Sequence, residues 1–422
     1  MHELQAKIRS QVGEESREEC PEHFRWIHED LKPWKSSGIS RDTLDRGTQN
    51  NMSDFRLIIF KGKPYLKKYK KCYATRDVFT LWGILQLLRL YPQRVPDLEL
   101  LFQCDDQTVV NKSSFPANIP PPPLFHYCGD TSSYDIVFPD WTFWGWAETN
   151  IRAWERVSKS IEENNQKLEW KDREPFAFWR GNARVASSRT ALSHCNATHH
   201  NHWKAHIYSL KWDKAAQRGL NNQTKLENQC DHRYKIYVEG RSWSVSEKYI
   251  LACDSMALFV HPKYYDFFSR SLVPLHHYWP ISTQNMCQHI TFAVEWGNSN
   301  THEAEAIGKE GSKFIRENLR MELVYDYMLH VLQQYAKMLR FDVTVPEGAV
   351  ELSLESLTSL VNKRARKFLE DSKVKNPATR RPPCKMPPPL EPQELQVLLH
   401  TKQSLMKQVE MESNQYWQTH QS

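Results

Sequence analysis

The sequence predicts an α/β protein, and two stretches carry that prediction. From Cys230 to Val260, alternating apolar residues predict a strand, Glu239–Ser242 a polar turn, and the apolar run from Met256 a second strand. Strand, turn, short helix and strand within about thirty residues form a βαβ unit. Earlier in the chain, an amphipathic helix that begins at Thr75 precedes a buried strand that ends at Phe102. A helix followed by a buried strand is typical of α/β proteins.

Length and composition set the broad class. A chain of 422 residues exceeds the usual size of one domain, which predicts two domains. The net charge of +6, from 56 basic and 50 acidic residues, is a mild excess that does not call for a nucleic-acid partner. No apolar run is long enough for a transmembrane helix, and the first residues lack the apolar core of a signal peptide.

The turn inside the βαβ unit is the first candidate binding element. Ser244 stands three residues before Glu247, which predicts a capping box at the helix start. The first N–H groups of a helix carry partial positive charge and suit a phosphate, and Arg241 and Lys248 add full charges. No G-x-G-x-x-G or Walker lysine motif is present, so an ordinary dinucleotide or ATP loop is not predicted. The residues alone also fit a plain βαβ crossover.

Hydrophobic periodicity predicts the remaining elements. It predicts a hairpin between Phe55 and Lys71 that turns at Gly62–Lys63, and a helix from Tyr264 to Leu272. It also predicts long helices between Thr301 and Leu339, and a final amphipathic helix after a Pro-rich linker from Asn376 to Pro392.

Three motifs together resemble a known enzyme family. The βαβ stretch, with PFAFWRGN at Pro175–Asn182 and HHYWPI at 276–281, is similar to the rumi-type protein O-glucosyltransferases, which belong to glycosyltransferase family 90. The sequences of these motifs resemble the plant branch of the family most. The similarity runs from about Cys20 to Phe341, with a plant-type tail to about Trp417. The resemblance implies two Rossmann-like α/β domains that face a cleft, the GT-B fold, with C-terminal helices.

The resemblance also implies a division of the chain and a reaction. The divisions are an N-terminal extension at 1–54, an acceptor-side domain with the catalytic base at 55–170, a UDP-sugar-binding domain at 171–340, and a linker with a C-terminal helix at 341–422. The implied reaction is an inverting transfer of glucose, or of xylose, from its UDP donor to a hydroxyl of a protein or polysaccharide. No D-x-D motif is present, so we expect neither a metal ion nor any other cofactor.

Asp106 is the candidate catalytic base. The segment QCDDQ matches the part of the family sequence that holds the base, and its second aspartate is Asp106. Asp105 is the fallback, because a register error of one residue would exchange the two. From the residues alone, an aspartate at a strand end equally fits a turn cap.

The donor-site candidates fall into two segments. In WRGNARVASSR, Asn182 and Arg189 match family positions that bind the UDP-sugar, and Arg180 and Arg184 lie in the same loop. Arginine suits a diphosphate because its planar fork donates two hydrogen bonds at once. The second segment consists of Arg241, Ser242, Trp243, Ser244, Val245 and Ser246.

Two positions depart from the animal members of the family. Those enzymes have arginines where this chain has Glu239 and Ser246. The departures leave the donor sugar open, and they motivate an alternative: a lumenal sugar- or protein-binding module of the same fold that has lost transfer.

An aromatic segment leaves two interpretations open. Trp141, Phe143, Trp144 and Trp146 can stack on a sugar or fill a core. The adjacent residues His276 and His277 are not predicted to form a metal site. Neighbouring residues on a strand point to opposite faces and cannot readily bind the same ion.

Cysteines and sequons predict a lumenal protein. The chain has nine cysteines, and its N-x-S/T sequons begin at Asn51, Asn111, Asn196 and Asn222. By the resemblance, Cys230 and Cys253 form a disulfide around the strand–helix unit. The expected location is the endoplasmic reticulum or Golgi lumen. Relatives usually carry an N-terminal membrane anchor, so its absence here predicts that a longer form of the protein exists.

Overall fold

The computed structural model describes residues 18–116, 118–211, 225–375, 377 and 382–420. The strands are β1 (Phe55–Phe60), β2 (Lys63–Lys68), β3 (Leu98–Phe102), β4 (Leu124–His126), β5 (Gly129–Asp130), β6 (Ile136–Val137), β7 (Glu174–Gly181), β8 (Ala205–Ser209), β9 (His232–Tyr237), β10 (Met256–Val260), β11 (Tyr264–Tyr265), β12 (Trp279–Ile281) and β13 (Val350–Glu351). The α-helices are α1 (Trp26–Asp30), α2 (Arg41–Arg46), α3 (Arg76–Leu90), α4 (Trp154–Asn165), α5 (Ser187–Ser193), α6 (Glu247–Leu251), α7 (Met286–Ser299), α8 (Thr301–Asn318), α9 (Met321–Ala336), α10 (Leu354–Ser359), α11 (Lys363–Asp371) and α12 (Pro392–His420).

The strands form two main sheets, and the predicted α/β class with C-terminal helices is confirmed. The first sheet has the order β13-β2-β1-β3-β4-β6, and the second has the order β12-β10-β9-β7-β8. All neighbours in the second sheet are parallel. The first sheet is mixed, because β1 pairs antiparallel with both β2 and β3, whereas β3, β4 and β6 are parallel.

The hairpin β1–β2 explains why the first sheet is mixed. Lys61 and Gly62 form its turn with φ angles of 51° and 75°. Two successive residues with positive φ match the twist of an antiparallel hairpin, and glycine adopts this conformation at little cost. The predicted hairpin is therefore present, with its turn one residue earlier than the sequence indicated.

The βαβ unit of the sequence analysis lies at the centre of the second sheet. Strands β9 and β10 are parallel, with Tyr234 opposite Met256, and every residue of β10 is buried. The predicted capping box is wrong. Ser246 is the N-cap of α6 and makes no side-chain cap bond, whereas the Ser244 hydroxyl bonds to that of Ser246. Glu247 is buried, which raises the pKa of its carboxyl to about 7.

The helix predicted from Tyr264 to Leu272 is also wrong. Tyr264 and Tyr265 form β11, which pairs antiparallel with β5, and only Ser269–Ser271 form a single helical turn. Pairing with a strand more than a hundred residues away overrides the local helical pattern here.

Disulfide bonds hold eight of the nine cysteines. The pairs are Cys20–Cys384, Cys72–Cys104, Cys195–Cys287 and Cys230–Cys253, the last being the pair implied by the resemblance. Cys128 is free and buried. Such a set of bonds fits an oxidising compartment. Within the described ranges, no helix is long and apolar enough to cross a membrane.

The sequons differ in accessibility. Asn51 and Asn111 are exposed, which suits a glycan. Asn196 is half-buried, and its Oδ1 accepts a hydrogen bond from the Ile207 N–H. Asn222 lies outside the described residues. Glycosylation at all four stays a prediction.

Helices late in the chain return to the first sheet and then cross to the second. Helix α9, which lies inside the predicted division 171–340, packs on the first sheet, and the Tyr335 hydroxyl donates to the Glu99 carbonyl at 2.9 Å. Helix α12 packs on α7, where the Trp417 indole donates to the Gln288 carbonyl at 3.0 Å. The predicted division into domains stays a prediction.

A buried ion pair joins the two sheets. Lys248 on α6 donates to Asp140 Oδ2 at 2.8 Å and to Thr142 Oγ1 at 2.7 Å. The side chains of Lys248 and Asp140 are 1% and 0% exposed. Burial of both charges is favourable only while they remain paired.

We expect Lys248→Met to lower the free energy of unfolding by about 3–5 kcal/mol, because it leaves Asp140 buried and uncompensated. The double variant Lys248→Met/Asp140→Asn should lose less. Urea denaturation of folded protein measures both values. Lys171→Met, which breaks the exposed pair with Glu169, is the matched control and should leave stability unchanged. Equal effects of the two single variants would contradict the assigned role of Lys248.

Candidate active site

Asp106 follows the carboxyl end of β3, at the edge where open α/β sheets bind ligands. The loop that carries Asp106 is fixed at Cys104 by two contacts. Cys104 is bonded to Cys72, and the Cys104 N–H donates to Asp54 Oδ2 at 2.7 Å. Since Cys72 lies just before α3, the disulfide fixes the loop against the start of that helix.

Arg76, the first residue of α3, orients Asp106. Its guanidinium donates to Asp106 Oδ1 at 2.9 Å and to the Cys104 carbonyl at 2.9 Å. It also lies over the ring of Trp141, 4.3 Å from the ring centroid. Arg76 is 7% exposed, whereas the Asp106 side chain is 35% exposed and open to a ligand.

The sequence analysis gave Arg76 no role, although one signal was available. A cation in the first turn of a helix lies at the positive end of the helix dipole, where acidic residues are favoured. Such a placement indicates that the side chain has a partner elsewhere, which here is Asp106.

Asp105 points elsewhere. Its carboxylate accepts from Gln103 Nε2 at 3.2 Å, and its N–H donates to Gln103 Oε1. The side chain is exposed, and among the described residues Arg76 forms its ion pair with Asp106 and not with Asp105. The two aspartates therefore differ in environment, and only Asp106 is held by a buried cation.

The donor turn, by which we mean Glu239–Ser246, lies opposite the Asp106 loop. Gln107 Nε2 donates to the Arg241 carbonyl at 3.5 Å. Arg189 on α5 donates to the carbonyls of Glu239 and Val238, at 3.0 and 3.2 Å, and to Ser244 Oγ at 3.1 Å. One guanidinium thus ties the end of the second sheet to the turn.

Electrostatics link the two sides of the cleft. Burial lowers the pKa of Arg189 to about 10, and the nearby carboxylates of Asp106 and Glu239 oppose that effect.

Five of the predicted donor residues line a small cavity of 70 Å³, namely Arg180, Arg189, Ser244, Val245 and Ser246. It is lined by Trp146, Thr149, Ile151, Trp179, Arg180, Gly181, Arg189, Leu226, Ser244, Val245, Ser246 and Tyr249. Ligand pockets for small molecules usually measure roughly 300–1,000 Å³. A nucleotide sugar would therefore have to displace side chains that line this cavity.

The other predicted donor residues lie near the cavity but do not line it. Asn182 accepts from the Arg184 N–H at 3.1 Å, and its carbonyl faces Arg189. Arg241 is exposed, whereas Ser242 and Trp243 are buried. The prediction that Lys248 contributes charge to the donor site is wrong. Its ammonium group donates to Asp140 and Thr142 and is not available to a phosphate.

The aromatic segment divides between the two interpretations. Trp141, Phe143 and Trp144 are at most 1% exposed and fill the core. The Trp243 ring, from the donor turn, lies 6.1 Å from that of Trp141 in this core. Trp146 alone among the four lines the cavity.

The two departures from the animal pattern have local partners. The Glu239 carboxylate accepts from the Tyr264 N–H at 2.6 Å, which ties the donor turn to β11, and burial raises its pKa. Ser246 Oγ bonds to Ser244 Oγ at 2.8 Å in the cavity wall. The positive charge of the cavity lining comes from Arg180 and Arg189.

Two clusters of metal-binding residue types occur among the described residues. They are Cys20, His330 and Cys384, and Asp54, Cys72 and Cys104. In each cluster both cysteines form a disulfide, so a single candidate ligand remains. These residues do not fit a bound metal ion.

Comparison with known proteins identifies the family of the chain. The model of glycosyl transferase family 90 matches residues 15–413. The O-glucosyltransferase rumi homolog of Anopheles gambiae is 24% identical over 343 residues, covering 79% of this chain and 82% of that protein. Protein O-glucosyltransferase 1 of Homo sapiens is 24% identical over 352 residues, covering 79% and 84%. The chain therefore belongs to glycosyl transferase family 90.

Proposed function

We propose that this transferase moves glucose from UDP-glucose, with inversion, to a hydroxyl of a protein acceptor. The observation that carries the proposal is the approach of the Asp106 loop to the donor turn, through Gln107 and Arg241. The names of the relatives, which are O-glucosyltransferases, support glucose and a protein acceptor. UDP-xylose as donor and a polysaccharide as acceptor are the other outcomes that the tests below distinguish.

In this proposal Asp106 is the general base. It accepts the proton of the acceptor hydroxyl as the oxygen attacks the anomeric carbon and the bond to UDP breaks. Its ion pair with Arg76 holds the carboxylate in one orientation, and its partial exposure leaves it open to the acceptor. A fixed orientation is what general-base catalysis requires.

Arg189 and Arg180 would stabilise the leaving diphosphate. Both line the cavity, and a buried guanidinium interacts strongly with a developing negative charge. Ser244 and Ser246 add hydroxyl donors to the same wall. We place the reaction in the lumen of the endoplasmic reticulum or Golgi, which the disulfides support.

The alternative of a binding module without transfer gains no support. The relatives carry the names of transferases, and neither departure removes Asp106, Arg180 or Arg189. Hydrolysis of UDP-glucose by the purified chain would separate the two functions directly.

Asp106→Asn should lower transfer by about 10²–10⁴-fold, because an amide cannot accept the hydroxyl proton. The affinity for UDP should change little, since the diphosphate is held by the other sheet. Initial rates of sugar transfer or of UDP-glucose hydrolysis measure the effect. Asp105→Asn is the matched control and should do less, because its side chain faces Gln103. A loss in Asp105→Asn alone would show that the assignment is off by one residue.

Arg189→Ala should weaken UDP binding by about ten- to a hundred-fold, the effect of losing a hydrogen bond to a charged group. Calorimetry with UDP measures it, on variants whose thermal unfolding shows a folded protein. Arg184→Ala, an exposed residue of the same loop, is the control. Unchanged affinity in Arg189→Ala would move the phosphate contact to Arg180 or Arg241.

Transfer should survive EDTA, because the proposed leaving-group stabilisation comes from arginines rather than from a metal ion. The measurement compares rates before and after chelation and after adding back manganese. A strict manganese requirement would contradict the proposal and would recast Asp105 and Asp106 as metal ligands.

A further inference from the structure

Helix α11 presents a strongly basic face. Lys363, Arg364, Arg366 and Lys367 are all exposed, while Ala365, Phe368 and Leu369 anchor the opposite face. Among the described residues, no carboxylate lies within 4.0 Å of any of these four cations, whereas the helix's own acids pair with Lys373 and Arg156. We call these four residues the basic face.

Local stability does not account for this arrangement. Lys363 and Arg364 are the first two residues of α11, at the positive end of the helix dipole, and Arg366 and Lys367 follow at its fourth and fifth positions. Cations are unfavourable there and anions are favourable. Asn362 caps the helix by accepting from the Ala365 N–H at 2.9 Å, so the cations are not needed for capping. An anionic partner from outside would remove the repulsion.

The basic face begins beside the candidate active site. Arg364 donates to Asn150 Oδ1 at 3.2 Å. Asn150 lines a second cavity, of 160 Å³, which adjoins the donor cavity because Thr149, Ile151 and Leu226 line both. The two cavities and Arg364 therefore adjoin one another, and we call this row of residues the path.

The charges along this path are predominantly basic or already paired. Lys225 lines the second cavity, and Arg152 there pairs with Glu227 at 2.7 Å. Arg156 pairs with Asp371 at 3.1 Å. The carboxylate of Glu148, near Asn150 in sequence, accepts from Thr75 Oγ1 at 2.9 Å. Glu148 is exposed and keeps its charge, but among the described residues it forms no ion pair with the basic face.

We propose that the basic face binds an acidic segment of the polypeptide acceptor, beside the second cavity. This inference rests on the proposed function, and it adds the chemical class of acceptor. Lys363 and Lys367 are one helical turn apart, about 6 Å along the axis. Alternate side chains of an extended peptide are separated by a similar distance, about 6.6 Å. The spacing therefore fits two carboxylates on one side of an extended chain.

The test measures binding of a fluorescent oligoglutamate to the full chain by anisotropy. The variant Lys363→Gln/Arg364→Gln/Lys367→Gln should bind about ten-fold more weakly, and binding by the unmodified chain should fall as salt rises. The control Lys309→Gln/Lys313→Gln/Arg316→Gln removes the same charge from the exposed surface of α8 and should bind normally. Absence of binding, or equal losses in both variants, would overturn the inference.

Two further arms keep the inference separate from the proposed function. Polygalacturonate tests an acidic polysaccharide, and binding of this polymer without binding of oligoglutamate would overturn the assignment to a polypeptide. UDP calorimetry and UDP-glucose hydrolysis test the donor site, and both should be unchanged in the α11 variant. If the donor site works but oligoglutamate does not bind, the inference fails alone. If oligoglutamate binds without UDP binding or hydrolysis, the proposed function fails.

Discussion

The buried pair of Lys248 and Asp140 is the constraint on which the cleft depends. Each charge has left water, so neither segment can move away without leaving its partner unpaired in an apolar environment. Lys248 belongs to α6, directly after the donor turn, and Asp140 belongs to the aromatic segment of the first sheet. The pair therefore fixes α6, which follows the donor turn, against the aromatic segment. The same turn contacts the Asp106 loop where Gln107 donates to the Arg241 carbonyl.

Arg189 combines a structural and a chemical role at the same atoms. Its guanidinium satisfies the carbonyls where β9 leaves the sheet, so it shapes the donor turn. The same group supplies charge to the cavity at the carboxyl edge of a parallel sheet. Since serine occupies position 246, the charge of the cavity lining depends on Arg189 and Arg180. A loss at Arg189 would therefore alter the turn as well as the charge.

Much of the fold is predictable from local sequence pattern, because the buried face of a helix or strand requires apolar residues at a regular spacing. The hairpin β1–β2, the α3–β3 pair and the β9-α6-β10 unit were all predictable for that reason. The strand at Tyr264–Tyr265 was not, since only its distant partner β5 selects strand over helix. The site shows the same division. Motifs placed Arg189 and Ser244–Ser246 at one cavity. They misjudged Lys248, because a phosphate-binding lysine and a buried ion-paired one look alike until the partner is known.

Two helices, α3 and α11, begin with cations, and the two cases differ in whether the protein supplies a partner for the charge. Arg76 is the first residue of α3, where the positive end of the helix dipole disfavours a cation. Its contacts with Asp106, the Cys104 carbonyl and the Trp141 ring offset that unfavourable interaction. The cations of α11 lie in a similar dipole. Arg364 and Arg366 donate to an amide oxygen and a backbone carbonyl, and no carboxylate of the described residues pairs with any of the four. The first arrangement is complete without a ligand. The second has no counter-charge among the described residues, which is the physical reason to look for its partner outside the chain, beside Asn150 and the second cavity.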